Sequence, residues 1–81
     1  MRQRAFSNHI AWSAAQLRGS RALAYVAIRS TDPGAEVIYH QVFIKKFFAS
    51  VDEAYSAADE AVSRIITIDA RNQPIFSFSD H

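Results

Sequence analysis

The hydrophobic period of this 81-residue chain changes at Ser50. Before Ser50, apolar and β-branched residues either alternate with polar residues or form short continuous runs, and both patterns are typical of strands. After it, apolar residues recur at three- and four-residue spacings, which is typical of an amphipathic helix. The sequence therefore predicts an α+β fold in which strands precede a helix.

Length and composition limit the classes of protein to which the chain can belong. Eighty-one residues suit a single small domain, residues 1–81. The absence of cysteine excludes disulfides and thiolate metal sites and suits a reducing compartment. Polar residues interrupt the first twenty positions, so no signal peptide or membrane span is expected there. A cytoplasmic protein without a membrane partner is therefore expected.

Two turn signals divide the first half of the chain. "RGS" at residues 18–20 and "TDPG" at residues 31–34 both contain a glycine, and the second also contains Asp-Pro. They separate three segments with strand character, residues 6–17, 21–30 and 36–45. Because short connections favour antiparallel pairing, the segments are expected to form a three-stranded antiparallel sheet.

The segment after Ser50 predicts a helix with a defined start. Ser50 and Glu53 have the spacing of a capping box, in which each side chain accepts a hydrogen bond from a backbone amide of the first turn. One arc of the helix is apolar and would pack on the sheet: Val51, Ala54, Tyr55, Ala58, Val62, Ile65 and Ile66. The β-branched residues that follow place the end of the helix between residues 64 and 69.

The C-terminal residues 70–81 have weaker signals. "ARNQP" resembles a turn, and "IFSFS" at residues 75–79 alternates as a short strand does. A proline before this segment suits an edge strand. The expected fold is therefore βββα with a possible fourth strand, and a loose tail is the alternative.

The order of these elements supports a resemblance. With "FFASVDEA" at residues 47–54 and "RIITID" at residues 64–69, residues 6–69 resemble a set of small uncharacterised bacterial proteins. The resemblance implies the strand-strand-strand-helix fold and carries no activity or cofactor with it. The element order is also similar to that of three-stranded DNA-binding domains in some integrases and plant transcription factors, at the level of fold alone.

The sequence contains no recognisable catalytic or metal motif. There is no glycine-rich phosphate loop, no nucleophile elbow and no zinc or calcium pattern. The histidines at positions 9, 40 and 81 are isolated, and His40 is expected to be a partly buried imidazole with one hydrogen bond. The paired acids of the helix, at positions 52, 53, 59 and 60, are expected on its exposed face. We therefore predict a non-enzyme without catalytic residues, metal ligands or cofactor.

The second and third strand segments are apolar on both faces, which suggests a contact surface. Eight residues are assigned to the helix side: Ile10, Trp12, Ala24, Val26, Ile28, Ile38, Val42 and Ile44. The opposite face would then hold Leu23, Tyr25, Tyr39 and Phe43, which we predict to bind another copy of the chain or another protein. The tail, through Phe76 and Phe78, is an alternative cover for this face.

Charge suggests a second function. Residues 1–48 contain seven basic and two acidic residues, whereas residues 49–81 contain two basic and six acidic ones. A basic side could bind nucleic acid, and its candidate residues are Arg18, Arg21, Arg29, Lys45 and Lys46. The third possibility is a small enzyme or ligand carrier. The sequence identifies no small-molecule ligand.

The helix cap gives a direct test of the predicted helix start. Ser50→Ala should lower the free energy of unfolding by about 1 kcal/mol, because a first-turn amide loses its acceptor. Chemical denaturation of the variant and the parent measures this difference. Coincident unfolding curves would show that Ser50 does not cap the helix.

Overall fold

The computed structural model describes residues 2–77 as six strands and one helix. The elements in chain order are β1 (Gln3–Ala5), β2 (His9–Arg18), β3 (Arg21–Ser30), β4 (Ile38–Val42), α1 (Val51–Ser63), β5 (Ile65–Ile68) and β6 (Pro74–Phe76). The first four strands form one antiparallel sheet in the order β1-β2-β3-β4, called here the main sheet, and β5 and β6 form a separate hairpin.

The predicted α+β class is confirmed, and the predicted number of strands is wrong. The main sheet has a fourth strand, β1, which pairs along the first part of β2. The backbone turns between β1 and β2, where Phe6 N–H donates to His9 O at 2.7 Å. Residues 6–8 therefore belong to this turn, and β2 starts later than the sequence pattern suggested.

The β2–β3 hairpin is the longest pairing of the sheet. Its register runs from His9 opposite Ser30 to Arg18 opposite Arg21, so only two residues connect the strands. Gly19 has a φ of 63°, a left-handed conformation that glycine adopts without a Cβ clash. The bounds predicted for β3 are confirmed.

β4 is half as long as the predicted third segment because the chain turns sharply at Phe43. Phe43 has a φ of 53°, which is uncommon for a bulky residue. Lys46 N–H donates to Phe43 O at 2.8 Å and closes the turn. The chain returns to the sheet at Phe48, whose N–H and C=O both bond to the backbone of Ala22.

The helix start is confirmed and the helix end is earlier than predicted. Glu53 N–H donates to Ser50 Oγ at 3.2 Å, and the Glu53 carboxylate accepts from Ala49 N–H at 3.0 Å. The helix ends at Ser63, so Ile65 and Ile66 lie in β5 and not on the apolar helix face. No helix within residues 2–77 is long and apolar enough to cross a membrane.

The β5–β6 hairpin replaces the predicted fourth strand or loose tail. β6 overlaps the start of the alternating segment, but it pairs with β5 and not with the main sheet. In the connecting turn, the Asp69 carboxylate accepts from the N–H groups of Arg71 and Gln73. Phe78 and His81 lie outside the described residues, so the predicted strand is described only as far as Phe76.

Two histidines of the main sheet hold this hairpin turn. His9 Nε2 donates to Asn72 Oδ1 at 2.7 Å, and His40 Nε2 donates to Asn72 O at 2.9 Å. Asn72 has a φ of 63°, a conformation that asparagine tolerates better than most residues. His40 is thus a half-buried imidazole with one hydrogen bond, as predicted.

The core lies between α1 and one face of the main sheet. It is built mainly from small side chains on both sides: Ala11, Ser13, Ala22, Ala24, Val26, Ile28 and Val42 from the sheet, and Ala54, Ala58, Ala61 and Val62 from the helix. The predicted facing of β3 and β4 is confirmed. Ile44 lies beyond the end of β4 and is 48% exposed.

The predicted facing of β2 is wrong by one residue. The register places Ala11 opposite Ile28 and Ser13 opposite Val26, so the odd-numbered residues of β2 face the helix. Trp12 and Ile10 therefore point away from it. The physical reason is volume, because small residues on β2 leave room for the helix beside the larger residues of β3.

Polar contacts attach β1 and β2 to the helix. The Asp59 carboxylate accepts from the buried Ser13 hydroxyl and from Arg2 N–H. Arg4 Nη1 donates to the carbonyls of Val62 and Ile65, both at 2.9 Å, and so supplies a cation at the helix C-terminus. Asp59 was expected on a solvated face and is instead half-buried in this contact.

A matched pair of substitutions tests the facing of β2. Ala11→Leu should destabilise the protein by about 1–3 kcal/mol, because Ala11 is fully buried beneath α1 and the added methyl groups overpack the core. Ala14→Leu, on the other face of the same strand, should change stability by no more than about 0.5 kcal/mol. Denaturant unfolding of both variants gives the comparison, and the reverse order of stabilities would contradict the observed register.

Candidate functional site

The face of the main sheet that points away from α1 has no element packed over it among the described residues, and we call it the open face. Strand alternation and register assign its members. They are Gln3 and Ala5 from β1; Ile10, Trp12, Ala14, Gln16 and Arg18 from β2; Arg21, Leu23, Tyr25, Ala27 and Arg29 from β3; and Tyr39 and Gln41 from β4.

The centre of the open face is aromatic. Trp12 and Tyr39 lie on either side of Ala27 in one row across the strands, and Tyr25 lies in the next row beside Ala14. The Tyr25 and Tyr39 rings meet edge to face with centroids 6.4 Å apart. Tyr39 is 59% exposed, so a large part of this aromatic group contacts solvent.

The alanines between these rings leave a shallow hollow. Its volume is about 390 Å³, and its lining residues are Ala14, Ala15, Gln16, Tyr25 and Tyr39. The walls are tyrosine rings, which offer apolar area together with a hydroxyl group. A hollow of this kind can receive a protruding side chain of a partner.

A second hollow lies at the hairpin end of the open face. Phe47, which is 59% exposed, is stacked with the Arg21 guanidinium, whose carbon lies 4.2 Å from the ring centroid. The hollow measures about 530 Å³ and is lined by Arg18, Gly19, Ser20, Arg21, Leu23, Gln41 and Phe47. Leu23 forms part of this lining and is only 8% exposed.

The four predicted contact residues are therefore not one exposed patch. Tyr25 and Tyr39 are in contact on the open face as expected, and Leu23 lies on the same face but is buried. Phe43 is on the other side, because its positive φ turns it toward the core, where it packs on buried residues. Its ring also lies 5.3 Å from the Lys46 ammonium group.

Two residues of the surface, Trp12 and Phe47, are not among the predicted contact residues. A signal for Trp12 was present, because the alternate positions 11, 13 and 15 hold only alanine and serine. Small side chains at alternate positions let a helix pack closely on that face of the strand. The tryptophan between them then lies on the opposite face. Phe47 had no such signal, since its position depends on the turn that begins at Phe43.

The open face is basic at both ends. Arg18 and Arg21 lie at the hairpin end and Arg29 lies at the other, all three exposed. Of the five predicted basic candidates, these three share the face, whereas Lys45 and Lys46 lie in the loop after β4. No carboxylate belongs to the open face within residues 2–77. The described acids occupy α1, the β5–β6 turn and the loop before β4.

The buried polar side chains of the described residues take part in hydrogen bonds within the fold. Every buried side-chain nitrogen or oxygen in this part of the chain has a hydrogen-bond partner. His9 and His40 hold the hairpin turn, and Asp59 holds the first two strands. Within residues 2–77, no three histidine, aspartate or glutamate side chains come together in a group that could hold a metal ion.

Comparison with known proteins gives no relative. No protein-family model matches the chain, and no curated protein or solved structure is significantly similar to it. The function is therefore inferred from the surface of the molecule itself.

Proposed function

We propose that the chain is a non-catalytic binding module that holds another protein against its open face. The observation that carries this proposal is the aromatic group of Trp12, Tyr25 and Tyr39 around small alanines, in which Tyr39 is exposed and the other two rings are half-buried. In an antiparallel sheet, the face that is exposed to water normally carries mostly polar side chains. Here the centre is apolar and the charged residues lie at the two ends.

The aromatic centre has the character of a contact surface. Tyrosine and tryptophan bury much area with few rotatable bonds, so little side-chain entropy is lost when a partner covers them. They also account for many of the residues that dominate binding energy in protein interfaces. The hollow beside Tyr25 and Tyr39 gives a partner side chain a place to insert.

The charges at the ends indicate the chemistry of the partner. Arg18, Arg21 and Arg29 meet no carboxylate of residues 2–77 on their own face, so stacking two identical open faces would bring like charges together. A partner with an acidic rim would instead complement all three. The proposed partner is therefore a different protein that presents an apolar projection bordered by carboxylates.

A charge substitution in the aromatic centre tests this function. Tyr25→Glu with Tyr39→Glu should abolish retention of a partner protein from extracts of the source cells, because both rings line the proposed contact. The variant should remain folded, since Tyr39 is largely exposed and Tyr25 is half-buried. Affinity capture with tagged wild type and variant, followed by binding of the purified partner monitored through Trp12 fluorescence, measures the effect.

The matched control is Ile66→Glu with Ile75→Glu. It introduces the same charge and removes exposed apolar side chains from the β5–β6 hairpin, which lies outside the open face. It should retain the same partner as the wild type. Equal retention by all three proteins would contradict the proposal, as would loss of the partner only in the hairpin variant.

A second candidate function is binding of single-stranded nucleic acid, and a specific observation favours it. The open face combines arginines, exposed aromatic rings and no described carboxylate. Bases stack on aromatic rings while arginines contact phosphates, without any need for a deep pocket. The Arg21–Phe47 stack is a further cationic and aromatic pair beside the same surface.

Salt dependence tests this second candidate. Binding of a labelled single-stranded oligonucleotide should weaken steeply as salt rises, because each phosphate contact releases counterions. Arg21→Ala with Arg29→Ala should weaken binding to every sequence. Arg64→Ala with Arg71→Ala removes the same number of positive charges at positions outside the open face. This control should weaken binding less. Absence of binding to single or double strands in low salt, measured by fluorescence anisotropy, would exclude this function.

A further inference from the structure

Among residues 2–77, no strand pairs with the outer side of the second half of β2. β1 pairs only with residues 10–12 of β2, and the last bond between the two segments joins Ser13 N–H to Arg2 O at 3.0 Å. β2 continues for five more residues to Arg18, paired with β3 on its inner side alone. Residues 14–18 are therefore an open edge of the main sheet.

The backbone groups that this edge presents follow from the register. Arg18 and Arg21 close a two-residue hairpin connection, so the even-numbered residues of β2 bond to β3. Ser13, which is odd-numbered, bonds to Arg2 on the opposite side. The N–H and C=O groups of Ala15 and Leu17 thus point outward. Neither residue has an outward backbone partner among the described residues.

The edge lacks the devices that usually prevent strand pairing. Residues 14–17 include no proline and no charged side chain, and the pairing with β3 has no bulge there. Leu17 is 59% exposed beside these free backbone groups. The other outer edge, on β4, is less suitable, because β4 has five residues and ends at the left-handed Phe43.

We propose that β2 pairs with β2 of a second copy of this chain, antiparallel and centred on Gln16. This register places outward-facing Ala15 opposite outward-facing Leu17 of the second copy, and Leu17 opposite the second Ala15. Two directly opposed residues whose N–H and C=O groups point toward each other exchange two hydrogen bonds. The two main sheets would then form one continuous sheet with closed twofold symmetry.

The side chains of the edge are complementary to their own symmetry copies. Leu17 lies opposite the small Ala15, and the two copies of Leu17 are diagonal neighbours within reach of each other. Arg18 lies opposite the uncharged Ala14, so no like charges face each other across the pairing. Gln16 lies opposite Gln16, where one amide can donate to the other. A second copy therefore satisfies the edge without any further partner.

Cross-linking tests the register, because the natural chain has no cysteine. Gln16→Cys should form an intermolecular disulfide on mild oxidation, since opposed residues of a non-hydrogen-bonded pair have Cα atoms about 4.5 Å apart, within disulfide range. Gln41→Cys, on the β4 edge of the same face, is the matched control and should cross-link far more slowly. Equal or faster cross-linking through Gln41 would overturn the proposal.

Sedimentation equilibrium from micromolar to millimolar concentration tests the association itself. The wild type should show a monomer–dimer equilibrium. Leu17→Pro should remain monomeric and folded, because it removes an N–H that only the second copy uses. Leu17→Lys is a second variant that keeps the backbone intact and should also weaken the dimer, since the two added charges are diagonal neighbours.

Two further results would overturn the inference. One is a wild-type chain that stays monomeric up to millimolar concentration. The other is a dimer that Leu17→Pro and Leu17→Lys leave unchanged but Tyr25→Glu dissociates, because that pattern would assign the contact to the open face. The same measurements are independent of the proposed partner, so failure of one proposal leaves the other standing.

Discussion

The close approach of α1 to the main sheet is the constraint on which the rest of the structure depends. Ala54, Ala58 and Ala61 of the helix and Ala11 and Ser13 of β2 are all fully buried where these two elements pack together. Side chains of this size leave no room for a tryptophan between the layers. Trp12 therefore lies on the open face. The small residues that let the helix pack on the sheet thus also place Trp12 beside Tyr25 and Tyr39 on the open face.

A contact made of small side chains buries limited apolar area per residue, so polar contacts have an important part in fixing the layers. Asp59 joins the helix to the first two strands, and Arg4 bonds to carbonyls at the helix C-terminus. Asn72 accepts hydrogen bonds from His9 and His40 of the main sheet, and these bonds fix the turn of the β5–β6 hairpin. Asp59, Arg4 and the two histidines are thus engaged in contacts that hold the elements of the fold together.

The sequence predicted those parts of the fold that depend on local chemistry. The bounds of β3 and the Ser50 cap follow from turn residues and capping geometry, which act over a few positions. The predicted facing of β2 is wrong because the hydrophobicity of Trp12 favours the helix side, whereas its volume fits only the other face. Phe43 was misplaced because a positive φ at a bulky residue is set by the surrounding structure. Of the predicted surface, Tyr25 and Tyr39 proved to be neighbours because the β3–β4 pairing was inferred correctly.

The two proposed contact surfaces share residues 14–16 but differ in direction, because the open face points out of the plane of the main sheet whereas the β2 edge lies in that plane. Twofold pairing through the β2 edge keeps the odd-numbered residues of β2, which face the helix, on the same side of the continuous sheet in both copies. Both helices, with their acids, would then lie on that side, and both open faces would lie on the other. Arg18, Arg21 and Arg29 of the two copies would contribute to one positive field. A partner with two acidic apolar projections would bind such a surface more tightly than either face alone, since its second contact forms at high effective concentration.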